Sequence, residues 1–267
     1  MMFRCREHAR GVLHIQDAMG VCMTLISGTE KALLVDTGYG LENVRLFAEK
    51  QMDRPYQVLL THGHHDHVLG TRWFEETWIA SEDQEEFQLR TGSEQREKVR
   101  QQAIDKGLRV PEDWMEALIR APRTLRFDRK TGPFDSLLIP LGGLTAEVIR
   151  VPGHTPGSCV VYLPERELLL SGDNWNPTTW LWFPSSVGAR LWRENMRTLA
   201  ALRPFRSVLC SHQPELKTRG DLMALVEGMT DEVLEKAPKV DMGSPVDTRK
   251  ASLPEADQEL VFDRGKL

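Results

Sequence analysis

The feature that most constrains this chain is a run of four histidines and one aspartate within seven residues, Thr61-His-Gly-His-His-Asp-His67. Written as HxHxDH, the pattern arises by chance in a chain of this composition with a probability on the order of 10⁻³ or below. Residues two apart on a helix point to nearly opposite sides, so His62 and His64 can share one metal ion only on extended or turn backbone. The run therefore predicts a strand end, a glycine-containing loop and a metal site.

Two members of the run and three later residues complete a set of candidate ligands. Asp66 and His67 come just before a helix predicted from Val68, where they are placed to reach a second ion. The later candidates each follow a short apolar stretch, and they are His154, Asp173 and His212. A single histidine after a strand is more often structural, but beside the HxHxDH run these residues predict two neighbouring sites for divalent ions.

The two halves of the chain repeat one order of elements: hairpin, acid, helix, strand, histidine. The hairpins are predicted at Val21–Ile26 with Ala32–Val35 and at Cys159–Leu163 with Leu168–Leu170, and the helices at Leu41–Met52 and Leu191–Leu202. The pattern suggests an internal duplication and a layered α/β body in which helices cover two packed sheets.

Three segments lie outside this repeat. Residues 82–121, rich in Glu, Gln, Arg and Lys, are predicted to form an insertion of two or three short helices, either an ordinary connection, a lid or a dimer interface. Residues 239–267 form a C-terminal extension with one edge strand at Glu259–Phe262. Trp175, Trp180 and Trp182 are placed either in a pocket wall or in the core. We expect one domain over residues 1–267.

Charge and composition restrict the partners. With 34 basic and 39 acidic residues and a net charge of -5, the chain lacks the footprint of a nucleic-acid binder. Residues 1–11 carry no apolar segment and no run of 18 apolar residues follows, so we expect no membrane association and a cytoplasmic location. Four separated cysteines predict neither disulfides nor a thiolate site. A small-molecule substrate is expected, and the oligomeric state stays open.

On these residues the chain resembles the metallo-β-lactamase superfamily over residues 10–215. The resemblance implies an αββα sandwich of two mixed β-sheets flanked by helices, with the site along one edge. It implies that one metal is held by His62, His64 and His154. It implies that the second is held by Asp66, His67 and His212, that Asp173 bridges both, and that Asp36 is structural.

The ligand set predicts the chemistry. Two divalent ions, zinc before iron or manganese, would share Asp173 and a bridging hydroxide, because metal binding lowers the pKa of water to about 7. Asp66 and Asp173 are the candidate catalytic residues. An aspartate at the bridging position makes the chain resemble the glyoxalase II and lactonase branches of the superfamily more than the true β-lactamases. We therefore predict hydrolysis of a carboxylic ester, thioester or lactone.

Three alternatives remain at this point. A phosphodiesterase can use the same dimetal site. A mononuclear-iron sulfur dioxygenase of the same superfamily shares many of these ligands. A non-catalytic binding member is disfavoured, because such proteins typically lose ligands and all seven are present here.

Overall fold

The computed structural model describes residues 3–127 and 133–267. Two compact units interleave along the chain. Unit 1 comprises Met1–Arg126, Leu138–Ala146 and Ser211–Pro214, and unit 2 comprises Phe127–Leu137, Glu147–Cys210 and Glu215–Leu267. The expectation of a single domain over residues 1–267 stays a prediction.

Unit 1 is built on a mixed sheet. Within residues 3–127 its strands, in both chain and spatial order, are β1 (Arg4–Ala9), β2 (Val12–Gln16), β3 (Cys22–Ser27), β4 (Ala32–Val35), β5 (Tyr56–Leu59), β6 (Trp78–Ile79) and β7 (Arg123–Thr124). The strands from β1 to β4 pair antiparallel and those from β4 to β7 pair parallel. The predicted first hairpin is therefore confirmed as β3 and β4. Strand β1 escaped prediction because half of its six residues are charged and four of them are exposed.

The helices of unit 1 are α1 (Val44–Gln51), α2 (His65–Val68), α3 (Gln84–Thr91) and α4 (Ser93–Asp105). Helix α1 begins after Asn43, whose side chain accepts the Leu46 N–H, and it buries Val44 and Ala48 in the core of the sheet. Helices α3 and α4 occupy the predicted insertion. A third helix does not form, because residues 112–116 make turns around the buried Trp114.

The second half of the chain supplies two further mixed sheets. Its strands are β8 (Ser136–Pro140), β9 (Thr145–Arg150), β10 (Cys159–Leu163), β11 (Leu168–Gly172), β12 (Thr178–Leu181), β13 (Ser207–Cys210), β14 (Lys217–Thr218), β15 (Thr248–Leu253) and β16 (Gln258–Asp263). The larger sheet has the order β14-β13-β11-β10-β9-β8 and the smaller one β12-β16-β15. The predicted strand at Glu259–Phe262 forms as part of β16. The prediction that it is an edge strand is wrong, because β16 lies between β12 and β15 and buries Leu260 and Phe262.

The helices of unit 2 are α5 (Ala189–Leu202), α6 (Arg219–Gly228) and α7 (Asp231–Lys236). Helix α5 buries Trp192, Met196 and Leu199 in the core of unit 2. The antiparallel pair β10–β11, helix α5 and the parallel strand β13 repeat the order of β3–β4, α1 and β5. In the described parts of the chain, the helices are too short or too polar to cross a bilayer.

The tryptophans of the loop after β11 have different environments. Trp175 is fully buried in the core of unit 2, where it packs with residues of α5, whereas Trp180 is 41% exposed. The pocket-wall interpretation is therefore wrong for Trp175 and stays open for Trp180. The difference arises because Trp175 precedes β12 in a buried turn, while the β12 side chains alternate between buried and exposed positions.

Replacing Trp175 by alanine should lower the free energy of unfolding by about 3–5 kcal/mol, because it leaves a large cavity in a closed core. Trp180→Ala is the matched control and should cost less than about 1 kcal/mol. Denaturant unfolding followed by circular dichroism measures both. Equal losses would contradict the buried placement of Trp175.

Candidate metal centre

The HxHxDH run starts where two parallel strands of unit 1 end side by side. Asp36 follows β4, and its backbone N–H donates to Leu59 at the end of β5. The carboxylate of Asp36 accepts both the backbone N–H and the hydroxyl of Thr61, at 2.7 and 2.8 Å. It also lies 2.9 Å from Nδ1 of His67. Asp36 thus fixes the loop from beneath, as the resemblance implied, and its φ of 64° is uncommon for a residue with a side chain.

The loop after β5 and the segment Ser211–Pro214 bring five predicted ligands together within unit 1. All except the exposed His212 are buried, and the five are His62, His64, Asp66, His67 and His212. The ligand atoms of Asp66, His67 and His212 lie within 4.8 Å of one another, and so do those of His62 and His64. Oδ2 of Asp66 is 3.5 Å from Nε2 of both His67 and His212. Helix α2 begins at His65, three residues earlier than predicted, so Asp66 and His67 lie in its single turn.

The electrostatics of this cluster favour an ionised carboxylate. Burial acts to raise the pKa of Asp66, but the imidazoles of His67, His65 and His212 outweigh it and hold that pKa well below its ordinary value. Burial lowers the pKa of His65, the variable position of the run, whose ring lies edge-on to Tyr39. At neutral pH the cluster therefore offers an anionic carboxylate oxygen among several imidazoles.

Hydrogen bonds orient the imidazoles so that one nitrogen of each can act as a ligand. Nδ1 of His67 faces Asp36, and Nδ1 of His62 lies 3.1 Å from the Thr61 hydroxyl. In both rings Nε2 is then the nitrogen available to a metal. Buried imidazoles held in this way beside an ionised carboxylate are the arrangement of metal-ligating histidines, so the residues of unit 1 fit a divalent ion.

Unit 2 places its two predicted ligands next to each other. His154 lies in a Pro- and Gly-bounded turn after β9, and its backbone N–H donates to the Asn174 side chain. Its Nδ1 lies 2.6 Å from the Trp180 carbonyl, and its Nε2 lies 3.6 Å from Oδ2 of Asp173. Asp173 follows β11 and accepts a hydrogen bond from the Asn176 side chain at 3.2 Å. Neutral groups thus orient both ligands of unit 2.

Aromatic side chains surround His154 on one side. The Phe183 ring lies edge-on to His154, with 5.2 Å between centroids, and stacks on Trp182 at 4.4 Å. Trp180 contacts both of these rings. Because this aromatic cluster, Trp180, Trp182 and Phe183, is only partly buried, it forms an apolar surface beside a candidate ligand.

Two acids that contact the run were missed by the sequence analysis. Asp83 and Glu86 lie in the insertion, and both are buried. Oδ2 of Asp83 accepts the backbone N–H of Gly63 at 2.8 Å, and Oε2 of Glu86 lies 3.6 Å from Nε2 of His64. No local signal separates these two carboxylates from the many exposed acids around them. The pairing depends on how the insertion folds against the loop.

Comparison with known proteins supports the resemblance. A family model described as the metallo-beta-lactamase superfamily matches residues 18–212. An uncharacterized protein of Mycobacterium tuberculosis (strain ATCC 25618 / H37Rv) is 28% identical over 155 residues, which cover 55% of this chain and 62% of that protein. The acyl-coenzyme A thioesterase MBLAC2 of Bos taurus is 26% identical over 167 residues, 56% of each chain. The match therefore spans less than two thirds of these curated relatives.

Among solved structures, the metallo-beta-lactamase FIM-1 of Pseudomonas aeruginosa in its mono-zinc form has a TM-score of 0.59 and 17% identity. The likeness covers 87% of this chain and 96% of that one. It confirms the predicted fold class, an αββα sandwich with mixed sheets and helices.

Asp36→Asn tests the support beneath the loop. Asparagine tolerates the left-handed backbone, but its amide presents N–H where Thr61 or His67 needs an acceptor, so zinc affinity should fall about 10- to 100-fold. Competition with a chromophoric chelator measures the affinity. Asp257→Asn is the matched control, because Asp257 is an exposed residue with the same backbone conformation. Unchanged affinity in Asp36→Asn would refute the supporting role.

Proposed function

The chain belongs to the metallo-beta-lactamase superfamily and is an enzyme of that superfamily, and on this premise we propose that it is a dinuclear metallohydrolase acting on a carboxylic ester, thioester or lactone. The observation that carries the proposal is the donor set. Unit 1 gathers five donors, one of them the ionised carboxylate of Asp66, and unit 2 sets His154 beside Asp173. Seven donors exceed what one tetrahedral ion can use.

We assign the donors to two divalent ions as the superfamily pattern implies. One ion takes His62, His64 and His154, the second takes Asp66, His67 and His212, and Asp173 contributes to both. Nitrogen and oxygen donors suit zinc, and iron or manganese are compatible with the same set. Bound ions of this kind supply Lewis acidity toward a substrate carbonyl and lower the pKa of water to about 7.

The residues of the chain supply orientation and charge. Asp66 stays ionised at neutral pH because imidazoles surround it, so its oxygens can accept a hydrogen bond from water or bind a metal ion. Asp173 is oriented by Asn176, and His154 by the Trp180 carbonyl. The proposed reaction needs no serine or cysteine nucleophile, which agrees with the burial of Cys210.

Acyl chemistry on a small molecule is supported by four observations. With an aspartate at the proposed bridging position, the chain resembles the glyoxalase II and lactonase branches of the superfamily. A relative is described as an acyl-coenzyme A thioesterase. The aromatic cluster beside His154 offers an apolar surface for an acyl chain. The net charge of -5 favours a small-molecule substrate over a polynucleotide, and we expect this reaction in the cytoplasm.

Metal stoichiometry tests the dinuclear site. Zinc-loaded protein should contain two ions per chain by elemental analysis, and Asp173→Asn should retain fewer and lose hydrolysis, because a shared ligand is altered. Asp135→Asn, which changes a more exposed acid beside Arg150, should leave both properties unchanged. One tightly bound iron and no second ion would favour the sulfur dioxygenase alternative.

A substrate panel tests the bond that is cut. Thioesters and lactones should be turned over faster than bis-nitrophenyl phosphate or a β-lactam. Trp180→Ala should raise KM for long-chain thioesters by the equivalent of roughly 1–3 kcal/mol, because exposed aromatic surface is lost, and spare small activated esters. Leu191→Ala, which alters another exposed apolar residue of unit 2, is the control. Faster turnover of phosphodiesters would overturn the acyl assignment and leave the dimetal site intact.

A further inference from the structure

Helix α3 of the charged insertion lies directly against the HxHxDH run. A Cβ atom at Gly63 would come within 2.6 Å of the Phe87 backbone nitrogen and 2.8 Å of Glu86 Cβ, so only glycine permits this approach. The fully buried Asp83 accepts the Gly63 N–H at 2.8 Å and links the start of α3 to the loop. This part of the insertion therefore stabilises the conformation of the HxHxDH run.

The buried carboxylate of Glu86 faces one ligand of the run. Its Oε2 lies 3.6 Å from Nε2 of His64 and 3.0 Å from Nε of Arg90, one helical turn away. A buried carboxylate is costly unless it is paired, and the guanidinium of Arg90 provides the opposite charge. The helix thus holds an acceptor oxygen toward the imidazole of His64.

His64 is oriented in the opposite sense from the other buried histidine ligands. In His62, His67 and His154 the oriented nitrogen is Nδ1, held by Thr61, Asp36 and the Trp180 carbonyl. In His64 the nitrogen that faces a carboxylate is Nε2. A carboxylate at Nε2 favours the proton on that nitrogen, and the lone pair of the ring is then on Nδ1.

We propose that Glu86 is a positioning residue: it accepts the Nε2–H of His64, fixes that tautomer and directs Nδ1 of the ring toward the metal. Rotation about the last torsion of the glutamate, which has a broad energy profile, is sufficient to shorten the 3.6 Å separation to a hydrogen bond. Arg90 and Asp83 hold α3 and its carboxylate in place. The proposal rests on the proposed metal centre for its consequence, but the tautomer itself is a property of the metal-free protein.

Two measurements test the His64 tautomer and the metal centre separately. Long-range ¹H–¹⁵N NMR of the metal-free protein above pH 8 reports the His64 tautomer, and chelator competition reports zinc affinity. Wild-type protein should show His64 protonated at Nε2. Glu86→Ala should give a mixture of tautomers and about 10- to 100-fold weaker zinc binding, because the oriented acceptor is lost.

The conservative variant Glu86→Gln keeps an acceptor oxygen, so it should retain the tautomer and most of the affinity. Glu85→Ala, which removes an exposed carboxylate of the same helix, should change neither property. A wild-type His64 protonated at Nδ1, or a Glu86→Ala protein unchanged in tautomer and affinity, would overturn the proposal. If the tautomer responds as expected while no variant binds metal, the metal centre fails and the positioning role stands.

Discussion

The buried carboxylate of Asp36 is the interaction on which the arrangement of unit 1 depends. It lies at the end of β4 and accepts hydrogen bonds from the residue that opens the loop after β5, while its other contact is the ring of His67. One side chain therefore joins two strand ends to the candidate metal ligands. An acceptor-only group is needed there, because each of its neighbours can donate. The left-handed backbone at Asp36 is the strain that this junction tolerates.

The hydrogen bonds of Asp36 also help to explain how several imidazoles can be clustered in the interior of unit 1. Desolvation opposes charge on His65 and on Asp66, yet the imidazoles around Asp66 keep that carboxylate ionised. Orientation by Asp36 and Thr61 means that the rings need little rearrangement to accept a cation. Metal affinity is then higher, because the side chains lose their conformational entropy on folding and not on metal binding.

Features that depend on neighbouring residues could be predicted from the sequence, whereas features that depend on contacts between distant residues could not. The strand end and loop of the HxHxDH run, the hairpin β3–β4 and helix α5 are encoded by neighbouring residues, and their prediction is confirmed. Glu86 and Asp83 could not be found, because burial of an acid depends on which face of α3 meets the loop. The central position of β16 was missed for the same reason: its pairing with β12 joins residues far apart in sequence.

The two units orient their donors by different chemistry. In unit 1 carboxylates face His64 and His67, and such acceptors increase the basicity of an imidazole and favour a bound cation. In unit 2 the orienting group of His154 is a neutral carbonyl, and aromatic rings occupy the space beside it. An ionic support suits the retention of a metal, whereas a neutral and apolar one suits contact with the uncharged part of a substrate. The repeated order of elements therefore carries two different kinds of support for its candidate ligands: carboxylates in unit 1, and a neutral carbonyl with aromatic neighbours in unit 2.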